Sequence, residues 1–246
     1  MRATILAVIT LLLLSCEKQT ENFTAEQAAD YLPLAVGKYR IYKLDSTVVI
    51  NFGNSLEVHN YQEKQVVDAA ITENGLTGYR ILVYRRDAAG AEPWKAAGSF
   101  FASADKNVEV TENNLRFIKL ANPLRADATW QGNAYLPQDP YSALFEFNND
   151  NDMNAWTYTY TGVGESLSVN GNSYDDVVTV SAIDESLNFP VTSTQQYAYK
   201  NYSLEQYAKG VGLVYQELVM LEYQPQNADR PGYRGFAVKR TLLEHN

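Results

Sequence analysis

From Lys38 onward, apolar and polar residues alternate in strand fashion rather than at helical spacing. Tyr79-Arg-Ile-Leu-Val-Tyr84 and Tyr174-Asp-Asp-Val-Val-Thr-Val180 are rich in β-branched and aromatic side chains, which suit a pleated, half-buried surface. Turn chemistry interrupts such runs at short intervals, at Glu73-Asn-Gly75, Ala89-Gly90, Glu112-Asn-Asn114 and Asn170-Gly-Asn172. The turns come too often to leave room for crossover helices, so the sheet is expected to be mainly antiparallel. Roughly ten or more strands are expected, and a sheet of that size curls or closes. The predicted fold is therefore mainly β: a large curved antiparallel sheet or open barrel.

Three segments depart from this rhythm. Thr24-Ala-Glu-Gln27 has the spacing of a capping box and predicts a short N-terminal helix to about Tyr31, stopped by Pro33. Residues 125–154, with Pro137, Pro140 and an Asn/Asp cluster, predict a long loop around one or two short strands. Leu213 to Tyr223 is apolar on both parities and predicts a strand buried on both faces in the middle of the sheet. Gly210 and Gly212, which flank Val211 at its start, suit a bulge or a close backbone approach.

The first residues follow a different logic. Met1 and Arg2 form a positive head, Ala3 to Leu14 an almost unbroken apolar run, and small Ser15 precedes Cys16, the only cysteine of the chain. That is the layout of a secretory signal peptide. The run is shorter than the roughly 20 residues that span a bilayer as a helix. Leu13-Leu14-Ser15-Cys16 resembles the lipobox of bacterial lipoproteins, which implies cleavage before Cys16 and acylation of its sulfur and new amino group. Several acyl chains make a stable anchor where one binds only marginally. The expected organisation is residues 1–15 as signal peptide, 16–23 as lipidated cysteine and flexible tether, and 24–246 as one β-rich domain.

Composition narrows the partners. The formal net charge is −9, from 20 basic and 29 acidic residues. Removing Arg2 with the signal peptide leaves 19 against 29, a balance of −10. Nucleic acid is a poor partner for such a surface. With Cys16 acylated no thiol remains, so the domain is held by its core alone.

Chemistry is sparse. A serine triad needs an elbow and an imidazole, but Gly164-Glu-Ser166-Leu-Ser168 lacks the second glycine. Of the two histidines, His59 falls at an expected exposed strand position and His245 is the penultimate residue. Asp150, Asp152 and Asn154 match the first half of an EF-hand loop, but Ala155 and Thr161 replace its glycine and bidentate glutamate. A solvated turn is the better reading of that segment, so neither a metal nor a cofactor is expected. With 29 acidic residues a carboxylate dyad can always be drawn, which keeps a glycan hydrolase as an alternative.

The most suggestive constellation is aromatic. In Trp156-Thr-Tyr158-Thr-Tyr160-Thr161, period two places Trp156, Tyr158 and Tyr160 on one face, and Tyr197 and Tyr199 repeat the theme. Such a row stacks on sugar rings, lines a wall against acyl chains, or packs as core, and core is the commoner use.

Three stretches, Tyr31-Leu-Pro-Leu-Ala-Val-Gly37-Lys-Tyr-Arg-Ile-Tyr42, Trp130-Gln-Gly-Asn-Ala-Tyr135 and Tyr207-Ala-Lys-Gly-Val-Gly-Leu-Val-Tyr215, together resemble a loose group of β-rich lipoproteins from Gram-negative bacteria. That group is similar in turn to the curved-sheet folds of periplasmic lipoprotein carriers and receptors. The resemblance implies an outer-membrane location and supplies no catalytic residues. The expected function is that of a lipid-anchored, non-catalytic envelope protein that binds a glycan, a lipid or an envelope protein. A structural or assembly role without a small ligand is the alternative, ahead of the hydrolase.

Overall fold

The computed structural model describes residues 26–73, 75–145, 147 and 152–246. Cys16, Thr24, Asp150 and the two N-terminal segments expected before residue 24 lie outside them. Twelve strands form one antiparallel sheet that nearly closes into a barrel. The first six are β1 (Tyr39–Ile50), β2 (Ser55–Glu73), β3 (Leu76–Asp87), β4 (Lys95–Ala104), β5 (Asn107–Glu112) and β6 (Leu115–Ala121). The second six are β7 (Thr129–Gln131), β8 (Thr157–Val169), β9 (Asn172–Leu187), β10 (Ala198–Ala208), β11 (Gly212–Gln224) and β12 (Gly232–His245). Within each six, every strand pairs with its neighbours in sequence, as tight turns dictate. Asn113 and Asn114 both take positive φ between β5 and β6, as do Asn170 and Gly171 between β8 and β9, the conformation a two-residue hairpin turn requires.

The two meanders join where β1 and β12 pair, from Arg40↔His245 to Thr47↔Ala237. The ends of the described chain therefore meet in the middle of the sheet, and the free edges belong to β6 and β7. An open edge exposes a row of unpaired backbone groups. Here the two edges face each other and are stitched. Ile118 N–H donates to the Gly132 carbonyl at 2.8 Å, and Trp130 Nε1 donates to the Ile118 carbonyl at 2.8 Å. The Tyr160 hydroxyl accepts from Ala121 N–H at 3.0 Å and donates to the Ala121 carbonyl at 2.8 Å.

The inward parity of the strands makes the core. Val67, Val108, Leu120, Tyr160, Val178 and Met220 are among its most buried members, and a smaller cluster gathers Tyr42, Val177, Val214 and Leu242. Both barrel ends carry inserted segments. At the base, a single 3-10 turn at Ala28–Tyr31 buries Ala28 and Tyr31 completely, and Ala28 N–H donates to Asn122 Oδ1 at 3.0 Å. At the top, the connection between β7 and β8 lays Tyr141 and Phe145 against Phe236, at ring separations of 5.0 and 4.1 Å.

Two local expectations change. The helix expected to start at Thr24 is, in the described residues, one turn in which the Asp30 carboxylate accepts Gln27 N–H at 3.0 Å. The strand expected at the middle of the sheet, β11, is next to the centre, which β1 and β12 occupy. It is nonetheless buried on both parities, with Met220 at 0% exposure and Leu221 at 4%. Gly212, at φ +108°, serves a close approach: a Cβ there would lie 2.4 Å from Arg40 Nε. Gly132 is required for the same kind of reason, since its Cβ would stand 2.6 Å from the Tyr158 ring.

Candidate functional site: the barrel interior

Strand register carries a row of polar groups across the inside of the barrel. Glu63 on β2 lies opposite Arg85 on β3, Gln216 on β11 opposite Arg240 on β12, and Glu205 on β10 opposite Gln216. Direct opposition puts these side chains on one face at contact distance. Arg240 Nε donates to Glu63 Oε1 at 2.8 Å, and its Nη1 donates to Gln216 Oε1 at 2.6 Å. Gln216 Nε2 then donates to Glu205 Oε1 at 2.7 Å. Arg85 Nη2 lies 3.1 Å from Glu63 Oε2. The Tyr207 hydroxyl donates to Glu205 Oε2 at 2.7 Å, and Lys119 Nζ, reaching over from β6, to Glu205 Oε1 at 2.7 Å. In the sheet order seven strands, β5 to β1 with β12 and β11, lie between β6 and β10, so the Lys119 contact ties the edge strand β6 to β10 across the interior.

Both carboxylates are ionised. Burial alone would raise the pKa of Glu63, but the Arg240 charge and hydrogen bond, with Gln65 and Arg85, override it and hold the group at about 2. Burial likewise works against Glu205, and the Lys119 ammonium with the Tyr207 and Gln216 hydrogen bonds brings it below the ordinary carboxylate range. Tyr207, buried beside that carboxylate, is pushed well above the usual phenol range. A base or acid poised near neutrality is absent from this row, which is arranged as permanent charge.

Beside the row lies a cavity of about 320 Å³. Its apolar wall comes from β3 to β6 and from β11 and β12, with Ile81, Phe100, Phe117 and Leu218 prominent, and Leu32 and Leu34 close its floor. Glu112, Asn113 and Leu144, all exposed, mark the mouth at the opposite end. An apolar cavity with a few convergent polar groups is the usual form of a small-molecule site, and this volume is at the low end of the ~300–1,000 Å³ such sites span. A second depression of about 720 Å³, along the rim beside Phe52 and Tyr233, shares Leu144 and Phe145 with the first, so these two residues form the wall between them.

The residues singled out from sequence fall in three places. Trp156, Tyr158 and Tyr160 are buried at 6, 3 and 0% exposure, with the Tyr158 hydroxyl donating to Asn133 Oδ1 at 2.9 Å and Trp130 against both tyrosines. They pack in the core and do not line the cavity. Tyr197 and Tyr199 are half-buried, 6.0 Å apart, and separate from that cluster. Asp152 takes a left-handed conformation before the 3-10 turn at Met153–Ala155, which includes Asn154. Among the described residues no group of three or more acids, histidines or cysteines is placed to hold a metal. His59 is partly exposed, with Nε2 2.9 Å from Glu57 Oε1.

The residues of the interior row went unmarked because each, taken alone, reads as an ordinary strand charge. One signal was available: Glu205 shares parity with Tyr207, and Arg240 with Phe236, Val238 and Leu242. Charge on the apolar parity of a strand marks a polar group committed to the interior.

A nearly closed antiparallel barrel around an apolar, charge-lined cavity is thus the class that fold and site define. No protein-family model matches the chain, and no curated protein does. Two solved structures are similar to it. One is a protein from Bacteroides fragilis, inferred to be exported and described as having a YmcC-like fold. It is 13% identical, with a TM-score of 0.37 over 87% of this chain and 99% of that one. The other, inferred to be a lipoprotein of Parabacteroides distasonis, is 12% identical, with a TM-score of 0.40 over 90% of this chain and all of that one.

Proposed function

We propose that this protein is an outer-membrane lipoprotein, anchored through acylated Cys16, that holds a small single-chain lipid in its barrel without converting it. The observation that carries the binding half is the apolar cavity of about 320 Å³, open at Leu144 and closed at Leu32. Its walls offer carbon surface, which favours acyl chains over glycans, and its volume suits one chain rather than two. A non-catalytic role is supported by the interior row, whose acids are held ionised by close cations rather than poised for proton transfer. The anchor half rests on the lipobox. The first described residue, Glu26, lies at the floor end of the barrel, its carboxylate accepting from the Tyr31 hydroxyl.

Acyl labelling in a bacterial host is expected to be abolished by Cys16→Ala, and continued incorporation would remove the anchor. The binding half requires a one-to-one complex with a single-chain lipid in native mass spectrometry. A protein that takes up none moves the reading to an assembly role.

A further inference from the structure

Four cations border the cavity, and three have a carboxylate partner: Arg85 and Arg240 share Glu63, and Lys119 has Glu205. The fourth, Arg40, has none among the described residues. It is only 6% exposed, with Nε donating to the Val211 carbonyl at 2.6 Å and Nη2 to the Pro33 carbonyl at 3.0 Å. A guanidinium carries five N–H donors, so three of its protons have no acceptor within the described protein. The chain keeps this charge there at a cost, because burying an unpaired cation opposes folding. It also makes room for it, since Gly212 leaves the space Arg40 fills.

Among the described residues the surroundings supply no hidden counter-charge. Glu63 and Glu205 are already shared among the other cations, and Glu112 is exposed at the far end of the cavity. His245, the strand partner of Arg40, is pushed down in pKa by burial and by the positive charges of Arg40 and Lys38. The floor of the cavity is therefore cationic and its walls are apolar.

We propose that the cavity selects a fatty-acid anion, bound acid end first, with the carboxylate on Arg40 and the chain running along Leu34, Ile81, Phe100 and Phe117 toward the mouth. The inference rests on the lumen being a ligand site. A guanidinium edge matches a carboxylate in two parallel hydrogen bonds, which an alcohol of the same chain cannot reproduce. Every core residue lies at position 28 or later, so a soluble chain from Glu17 onward keeps the whole described core.

Titration calorimetry of that chain with sodium dodecanoate and with dodecanol tests the assignment. Wild type is expected to bind dodecanoate about tenfold or more tighter than dodecanol. Arg40→Gln is expected to remove that preference, weakening dodecanoate by about tenfold and dodecanol by less than about twofold. Arg40→Lys, which keeps the charge but not the fork, should retain part of it. Equal affinity of wild type for the two probes overturns the proposal, and that comparison needs no variant to fold. Equal weakening of both probes in Arg40→Gln also overturns it, because Arg40 would then serve only to hold Pro33 and Val211. If neither probe binds wild type, the lumen reading itself has failed.

Discussion

Glu63→Ala should destabilise the fold by about 3–5 kcal/mol, the loss expected when a buried ion pair is left with one partner. Glu63 is fully buried and accepts from Arg240 and Gln65, with Arg85 on its other oxygen. Its removal strands two cations against an apolar wall, and Arg240, whose pKa Glu63 helps to raise, bears most of the cost. Urea denaturation measures the effect. Acid titration gives an independent signature, because Glu63 has a native pKa of about 2 against an ordinary value of 4.5. The unfolded chain binds this proton more tightly than the native one. The stabilisation is therefore complete above about pH 4.5, declines as pH falls toward 2, and amounts to about 3 kcal/mol. Glu63→Ala should flatten that decline, and an unchanged acid limb would show that the row contributes little.

Tyr158→Ala should cost about 3–5 kcal/mol, the range for deleting a large aromatic ring from a packed core. The ring fills the space that Gly132 leaves and lies 5.7 Å from Trp130, so its loss opens a void between β7 and β8. Asn133, at 0% exposure, loses the donor to its Oδ1 at the same time. Tyr158→Phe separates the two contributions: it keeps the ring and orphans only the amide oxygen, for about 1–3 kcal/mol. Thermal denaturation of both variants checks the ranking. A stable Tyr158→Ala protein with altered ligand uptake would instead put this residue on a binding surface.

Strand physics explains what could be read from the sequence and what could not. Period two placed Trp156, Tyr158 and Tyr160 on one face with threonines opposite, because alternation is a local property of an extended chain. It left open whether that face looked into the core, since the answer depends on Trp130, which comes from another strand, and on the seam between β6 and β8. Hairpin order was legible for the same local reason, because turns such as Asn170-Gly171 dictate which strands pair. The joining of the two meanders through β1 and β12 was not, for no local signal links Arg40 to His245. The interior row is the extreme case. Glu63 and Arg240 stand 177 residues apart, and Lys119 and Glu205 stand 86 apart. Only the assembled sheet makes them one structure, and only then does Arg40 stand out as the cation without a partner.

A barrel interior that binds one lipid chain loses that ligand once its cavity is filled. Ala102, 3% exposed on β4 and part of the cavity wall, offers a way to fill it from within. Ala102→Phe puts a ring into the space a ligand would occupy, at a stability cost of about 1–3 kcal/mol for overpacking. Native mass spectrometry of the two proteins with dodecanol is the direct test. A one-to-one complex is expected for wild type, and its loss in a folded Ala102→Phe. Absence of a complex with wild type, or an equal complex with the filled variant, would contradict it.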